Sequence, residues 1–383
     1  MNLITRRLKD EFIRLSRIFP VITLTGPRQS GKTTLCKVLF SDYNYINLED
    51  IQLREIIAES PKSFLKENSN GLIIDEAHYL PELFSYIQVL VDEDKSRRYI
   101  LTSSNNFSLL QGVTQSLAGR TAILSLLPLS ISEIENLKNI STDDLILRGS
   151  YPAVWNGSMS AHDVYANYYK TYIERDVRAL INIKDLSQFQ RFIKLCAGRT
   201  GTEFNASTFA NDIGVSVHTI QDWLSKLEAS FVIYRLQPFF RNNGKRLIKS
   251  SKIYFYDTGL ACYLLGIENQ NHLKAHPLRG NLFENLIVID FLKNRYNIGK
   301  EPNIYFYRDN QQKEVDIVEE AADKLSIYEI KSAKDFHRDF FKGLNYFKKI
   351  YPNQVNKSQL IYDGEMEIST TENGIINFRN IQI

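Results

Sequence analysis

Gly26-Pro27-Arg28-Gln29-Ser30-Gly31-Lys32-Thr33-Thr34 is the stretch of this chain whose residue types and spacing can do chemistry. Its first eight residues fit the G-x-x-x-x-G-K-[ST] pattern at every defined position. Glycines let backbone N–H groups turn inward around an anion. A helix starting there adds partial positive charge. Lys32 can then reach the β- and γ-phosphates of a nucleotide, and Thr33 can hold Mg²⁺.

Such a loop works only between a strand and a helix, and both are predicted. Val21–Thr25 reads as a buried strand, and Thr34–Phe40 has helical apolar spacing. Strand and helix patterns alternate from Phe19 to about Leu129, which predicts a parallel α/β sheet. Gly71-Leu72-Ile73-Ile74-Asp75-Glu76 is a strand that ends in two acids. This resembles the Walker B pattern of P-loop ATPases, which implies that Asp75 holds Mg²⁺ and Glu76 polarises the attacking water. Acids at that strand end sit where open α/β sheets bind ligands. The strand Arg97–Thr102 runs into Ser103-Ser104-Asn105, and Ser104 is the candidate polar sensor, or part of a plain turn. Arg120, just before the strand Thr121–Leu126, is either a finger on a neighbouring subunit's nucleotide or a surface arginine. Asp75-Glu76-Ala77-His78 spells one helicase box, but no second helicase-like domain is visible, so His78 reads as a structural or sensor-side residue.

Composition bounds the rest. At 383 residues with 43% apolar content, the chain is long enough for two or three cores. The 47 basic and 44 acidic residues leave a net charge of +3, so any basic surface must be local. Cys36, Cys196 and Cys262 have no metal or disulfide spacing and read as free thiols of a cytoplasmic protein. The stretch 1–17 is a basic amphipathic helix rather than a signal peptide. No run of 18 apolar residues predicts a membrane helix.

An ordered series of motifs resembles a prokaryotic family of AAA-type ATPases, the AAA_14 plus DUF4143 arrangement. Beyond the loop and the acid pair, the series includes Leu101-Thr102-Ser103-Ser104, Ser116-Leu117-Ala118-Gly119-Arg120 and Leu127-Pro128-Leu129-Ser130. It continues through Arg148-Gly149-Ser150-Tyr151-Pro152, Tyr172-Ile173-Glu174-Arg175-Asp176-Val177, Tyr256-Asp257-Thr258-Gly259-Leu260 and Gly280-Asn281-Leu282-Phe283-Glu284-Asn285. Ser103 stands where that family usually has glycine. The resemblance implies a P-loop AAA-type parallel core over 1–130 and a helical connector or lid over 131–188.

Residues 189–270 read as a winged helix. A helix capped by Ser207 turns at Gly214-Val215 into one capped by Ser216, and strands follow. Its loop offers Arg241, Lys245, Arg246, Lys249 and Lys252, a basic wing able to hold DNA phosphates. The helix around Tyr165, Tyr168, Tyr169 and Tyr172 reads as packing.

Residues 275–383 predict a separate α/β unit. Glu284 lies on a helix, Asp316 on a strand, and Glu329 and Lys331 on one face of the next. Helix Glu, strand Asp, then Glu-x-Lys resembles the PD-(D/E)xK restriction-endonuclease-like core, with Val315 where proline is usual. The resemblance implies metal at Asp316 and Glu329 supported by Glu284, with Lys331 serving hydrolysis.

The expectation is Mg-dependent ATP binding and hydrolysis, coupled to a winged helix and a nuclease-like domain acting on DNA, in a possible homo-oligomer. The alternative is a regulatory nucleotide switch whose C-terminal domain is an inactive partner-binding module.

Overall fold

Val21–Thr25 (β1) is buried at all five positions, so it is a central strand covered on both faces. The computed structural model describes residues 3–104, 106–157, 159–177, 186–240, 250–370 and 373–381. They form two units. One holds Met1–Leu129 with Ala229–Phe231 and Arg295–Lys300, and the other holds the rest.

In the first unit, helix α1 (Lys9–Ile18), β1 and α2 (Lys32–Leu39) are followed by β2 (Asn44–Asn47), α3 (Ile51–Glu59), α4 (Pro61–Glu67), β3 (Leu72–Asp75), α5 (Leu83–Glu93), β4 (Tyr99–Thr102), α6 (Asn106–Ser116) and β5 (Thr121–Ser125). The strands make one parallel sheet in the order β2-β3-β4-β1-β5. Alternate residues of each strand feed opposite faces. Leu72, Ile74 and Leu101 pack with Phe84 and Ile87 of α5, whereas Ile73, Ile100 and Leu24 pack with Phe12 of α1 and Leu35 and Cys36 of α2. Two such cores, at about 1.5–3 kcal/mol per buried side chain, hold the sheet and leave its loop edge free for function. The basic N-terminal helix is shorter than the sequence pattern predicts, because it begins at Lys9.

The second unit opens with 3₁₀ turns and short helices: α7 (Thr142–Arg148), α8 (Pro152–Trp155) and α9 (Ala161–Tyr168). The long tyrosine-rich helix is not uniform. After α9, capped by Ser160, the chain continues as a π-helical stretch, Tyr169–Val177. Tyr165, Tyr168, Tyr169 and Tyr172 are all buried. Next come α10 (Leu186–Gly198), α11 (Ala206–Ile213), α12 (Val217–Ala229) and an antiparallel pair, β6 (Ile233–Leu236) and β7 (Lys252–Phe255). Ser216 caps α12, accepting from the Thr219 amide. The cap of α11 is Asn205 rather than Ser207, because the Asn205 side chain accepts from the Thr208 amide.

After α13 (Thr258–Leu264), α14 (Gln270–Ala275) and α15 (Arg279–Asn297), a mixed sheet runs β12-β11-β10-β9-β8. Its strands are β8 (Ile304–Arg308), β9 (Glu314–Ala321), β10 (Lys324–Lys331), β11 (Val355–Tyr362) and β12 (Gly374–Asn377), with α16 (Lys342–Ile350) between β10 and β11. Among the described residues, no helix is long and apolar enough to cross a membrane.

Candidate functional site

The loop between β1 and α2 is built on backbone angles that ordinary residues avoid. Gly26 has φ +140° and Gly31 has φ +97°, and Gln29 is also left-handed. No side chain caps α2 at Gly31, so its first turn is left for an anion. Lys32 is buried and donates to the carbonyls of Gly26 and Pro27, each at 2.9 Å. Burial pushes its pKa down, although Glu76 and Asp75 favour the charge. Thr34 lies exposed on α2, while Arg28 pairs with Glu49. Arg6, from the N-terminal segment, is buried against the loop. Its guanidinium donates to Ser30 O at 2.7 Å and to Leu127 O at 2.6 Å.

The two acids at the end of β3 face this loop. Thr33 Oγ1 donates to Asp75 Oδ2 at 2.7 Å, and Tyr45 donates to the same oxygen at 2.8 Å. Thr102 at the end of β4 donates to Asp75 Oδ1. Asp75 is thus held from the start of α2, from β2 and from the end of β4, and kept beside the hydroxyl of Thr33. Glu76 accepts from the Ser104 amide at 2.9 Å and lies 3.3 Å from His78 Nδ1. Burial opposes its charge. His78, Lys32 and the Ser104 amide more than offset that and bring its pKa to about 2. Ser104 therefore reaches the acid through its backbone.

Arg120 does not join this group within the chain. It precedes β5, whose first residue pairs with Val21, so it lies at the sheet edge opposite Gly26. Its guanidinium makes a two-point contact with Asp92, at 2.9 and 2.6 Å.

A second cluster forms in the other unit. β9 and β10 pair as far as Tyr328↔Ile317, so Glu329 and Asp316 both lie just past the end of this ladder. Asp316 is buried and accepts from the Ile330 amide at 2.7 Å. Burial and the charges of Glu329 and Glu284 hold its pKa well above the usual carboxylate range. Lys331 pairs with Glu329 at 2.6 Å. Glu284, on α15, shares the cluster: oxygens of Glu284, Glu314 and Asp316 lie within 4.8 Å of one another.

Two members of this cluster stand outside the sequence reading. Glu314 is one. It lies two residues before Asp316, and that period-2 spacing on one strand face was the available signal. Lys252 is the other, and contrary to expectation it is not part of a basic wing. It begins β7, is buried, and its ammonium pairs with Glu284 at 2.9 Å and with Glu314. Burial works against its charge, yet Glu284, Tyr254 and Glu314 hold its pKa well above the ordinary lysine value. A lysine enclosed by carboxylates has no reach to spare for phosphates. Arg241, Lys245, Arg246 and Lys249 lie outside the described residues.

Comparison with known proteins places these features. An AAA domain profile matches residues 19–135, a domain of unknown function (DUF8612) matches 139–271, and a domain of unknown function (DUF4143) matches 279–381. An uncharacterized protein of Mycobacterium tuberculosis is 31% identical over 337 residues, covering 86% of this chain and 74% of its own length. An uncharacterized protein of Haemophilus influenzae is 22% identical over 344 residues, 79% of this chain and 80% of its own. Among solved structures, the Walker-type ATPase of Pyrococcus abyssi aligns with a TM-score of 0.43 at 14% identity, over 68% of this chain and 96% of that one. A signal transduction ATPase with a tetratricopeptide repeat sensor from Pyrococcus horikoshii aligns at 0.30 with 12% identity, over 77% of this chain and 48% of that one.

Proposed function

This chain belongs to the family that joins an AAA ATPase domain to a C-terminal DUF4143 domain, and from that premise we propose that Mg-dependent ATP hydrolysis in its first unit drives a DNA-directed, metal-using site in its second. The observation that carries the first half is the contact of Thr33 with Asp75 at 2.7 Å, beside a glycine-shaped loop.

Magnesium fits that spot. A hydroxyl and a carboxylate are hard oxygen donors, and both sit where the loop would bring β- and γ-phosphate oxygens. When bound, the ion supplies positive charge to those oxygens. Lys32 exchanges the carbonyls of Gly26 and Pro27 for phosphate. Tyr45 and Thr102 keep Asp75 aimed at the ion. Glu76, ionised at any working pH, orients the attacking water and is too weak a base to hold its proton fully. Arg120, at the opposite sheet edge, is a candidate finger only for nucleotide on a neighbouring copy, which calls for a homo-oligomer. The test is Lys32→Ala: ATP affinity and turnover should both collapse, and unchanged binding and turnover would refute the reading.

For the second half, the support is the approach of Glu284, Glu314 and Asp316. The donors are all carboxylate oxygens, a set that suits Mg²⁺ or Mn²⁺. Burial, and after it the like charges of Glu329 and Glu284, raises the pKa of Asp316, and a divalent cation would relieve the charge repulsion. Lys331, held by Glu329, is the cation placed to steady developing charge on a phosphate. Helices α10–α12 with β6 and β7 are read as the winged helix that would present DNA. Nicking of plasmid DNA with Mn²⁺ should be abolished by Asp316→Ala. Should the wild type cut nothing while its ATPase is intact, the alternative of a nucleotide switch with a partner-binding end takes over.

A further inference from the structure

We propose that His78 and Ser103 are positioning residues that clamp the hydrolytic carboxylate of Glu76 to the end of β4. The inference rests on the ATPase reading above.

Glu76 follows β3 with φ +52°, a left-handed conformation that is strained for a residue other than glycine. Such a turn persists only where its surroundings fix it. The fixing contacts converge on one oxygen. Glu76 Oε2 accepts from the Ser104 amide at 2.9 Å and faces His78 Nδ1 at 3.3 Å. The same Nδ1 lies 2.8 Å from Ser103 Oγ. A carboxylate and a hydroxyl on one ring nitrogen are both satisfied when Nδ1 carries the proton and the two oxygens accept. The ring is itself held, packed against Tyr79 with centroids 4.3 Å apart. His78 sits on a 3₁₀ turn, Ala77–Tyr79, directly after the acid pair, so its reach to β4 is short.

The result is division of labour between two oxygens. Oε2 is tied to β4 by an amide and by the Ser103–His78 link. Among the described residues Oε1 takes no hydrogen bond, and it is the oxygen left for water. A movement of the β4 end thus carries Glu76 with it. Ser103 supplies a hydroxyl to the link that glycine at this position would lack.

The test is steady-state MgATP turnover together with ATP affinity by calorimetry. His78→Ala should lower kcat about tenfold while leaving affinity within about twofold, because a misplaced catalytic group costs rate rather than binding. His78→Asn, whose side-chain amide can present an N–H near the position of Nδ1, should recover at least about threefold of that loss, a rescue that a merely packed ring would not show. Ser103→Ala should also lower kcat. The double variant His78→Ala/Ser103→Ala should be no slower than His78→Ala alone, because one link is broken once. Turnover of His78→Ala near wild type, multiplicative losses in the double variant, or a fall in affinity matching the fall in kcat would each overturn the proposal. Ser103→Ala keeps the test open if His78→Ala fails to melt cooperatively. Failure of the ATPase reading looks different, since wild-type turnover would then be absent or indifferent to Lys32→Ala.

Discussion

Asp290 illustrates what a single buried carboxylate costs. It lies on α15, accepts from the Ile131 amide at 2.7 Å and from Asn294 at 2.9 Å, and is closed off from water. Burial pushes its pKa up from 3.8 to about 6, against the pull of those donors and of Lys293. The folded chain therefore binds this proton more tightly than the unfolded chain does. Its favourable contribution is whole below about pH 4 and is lost as pH rises through about 6, a swing on the order of 3 kcal/mol. Asp290→Asn, which is neutral throughout, should flatten the melting temperature between pH 4 and 6 relative to the wild type. Parallel curves for the two proteins would show that Asp290 does not carry this dependence. Asp316 and Glu329 shift in the same direction, so the wild type keeps the steeper slope.

At the scale of elements, the β1–α2 loop depends on what it lacks. A Cβ on Gly26 would sit 2.2 Å from the Leu126 carbonyl, at a φ that disfavours any side chain. Gly26→Ala should therefore weaken ATP binding at least about tenfold, because the loop must move to make room. Gly119→Ala is the matched control. Its φ is also positive, but nothing lies within 4 Å, so it should cost about 1 kcal/mol of stability and leave ATP binding intact. Calorimetric titration distinguishes them. This loop was legible because strand, glycines, lysine and helix are contiguous, and every position carries its own local reason. The same holds for the alternating cores behind β3. Legibility failed where distance along the chain mattered. Lys252 and Glu284 meet through the packing of β7 on α15, and no local pattern records that. Glu314 carries no local signal of its own beyond its spacing from Asp316, because its importance depends on the neighbours brought to it. Asn205 holds the cap that Ser207 was expected to fill, since propensity alone does not choose between two good capping residues two positions apart.

For the whole molecule, the three thiols are independent markers of its parts. Cys36, Cys196 and Cys262 are all buried, and burial pushes each thiol up, so none offers a reactive thiolate. A thiol reagent should label none of them in the native protein. With rising urea, Cys196 and Cys262 should become labelled at the same concentration, because both belong to one unit, whereas Cys36 reports the other. Separate midpoints for Cys196 and Cys262 would divide the second unit further. The contacts of Arg6 matter in time as well as in space. Its guanidinium ties the glycine loop to the Leu127 carbonyl, 121 residues further along. On the ribosome, at about 5–20 residues per second, Leu127 emerges roughly 6–24 s after Arg6. The nascent chain thus exposes a complete phosphate-binding sequence well before it can hold that sequence in shape, and the growing polypeptide passes through this interval without a working grip on nucleotide.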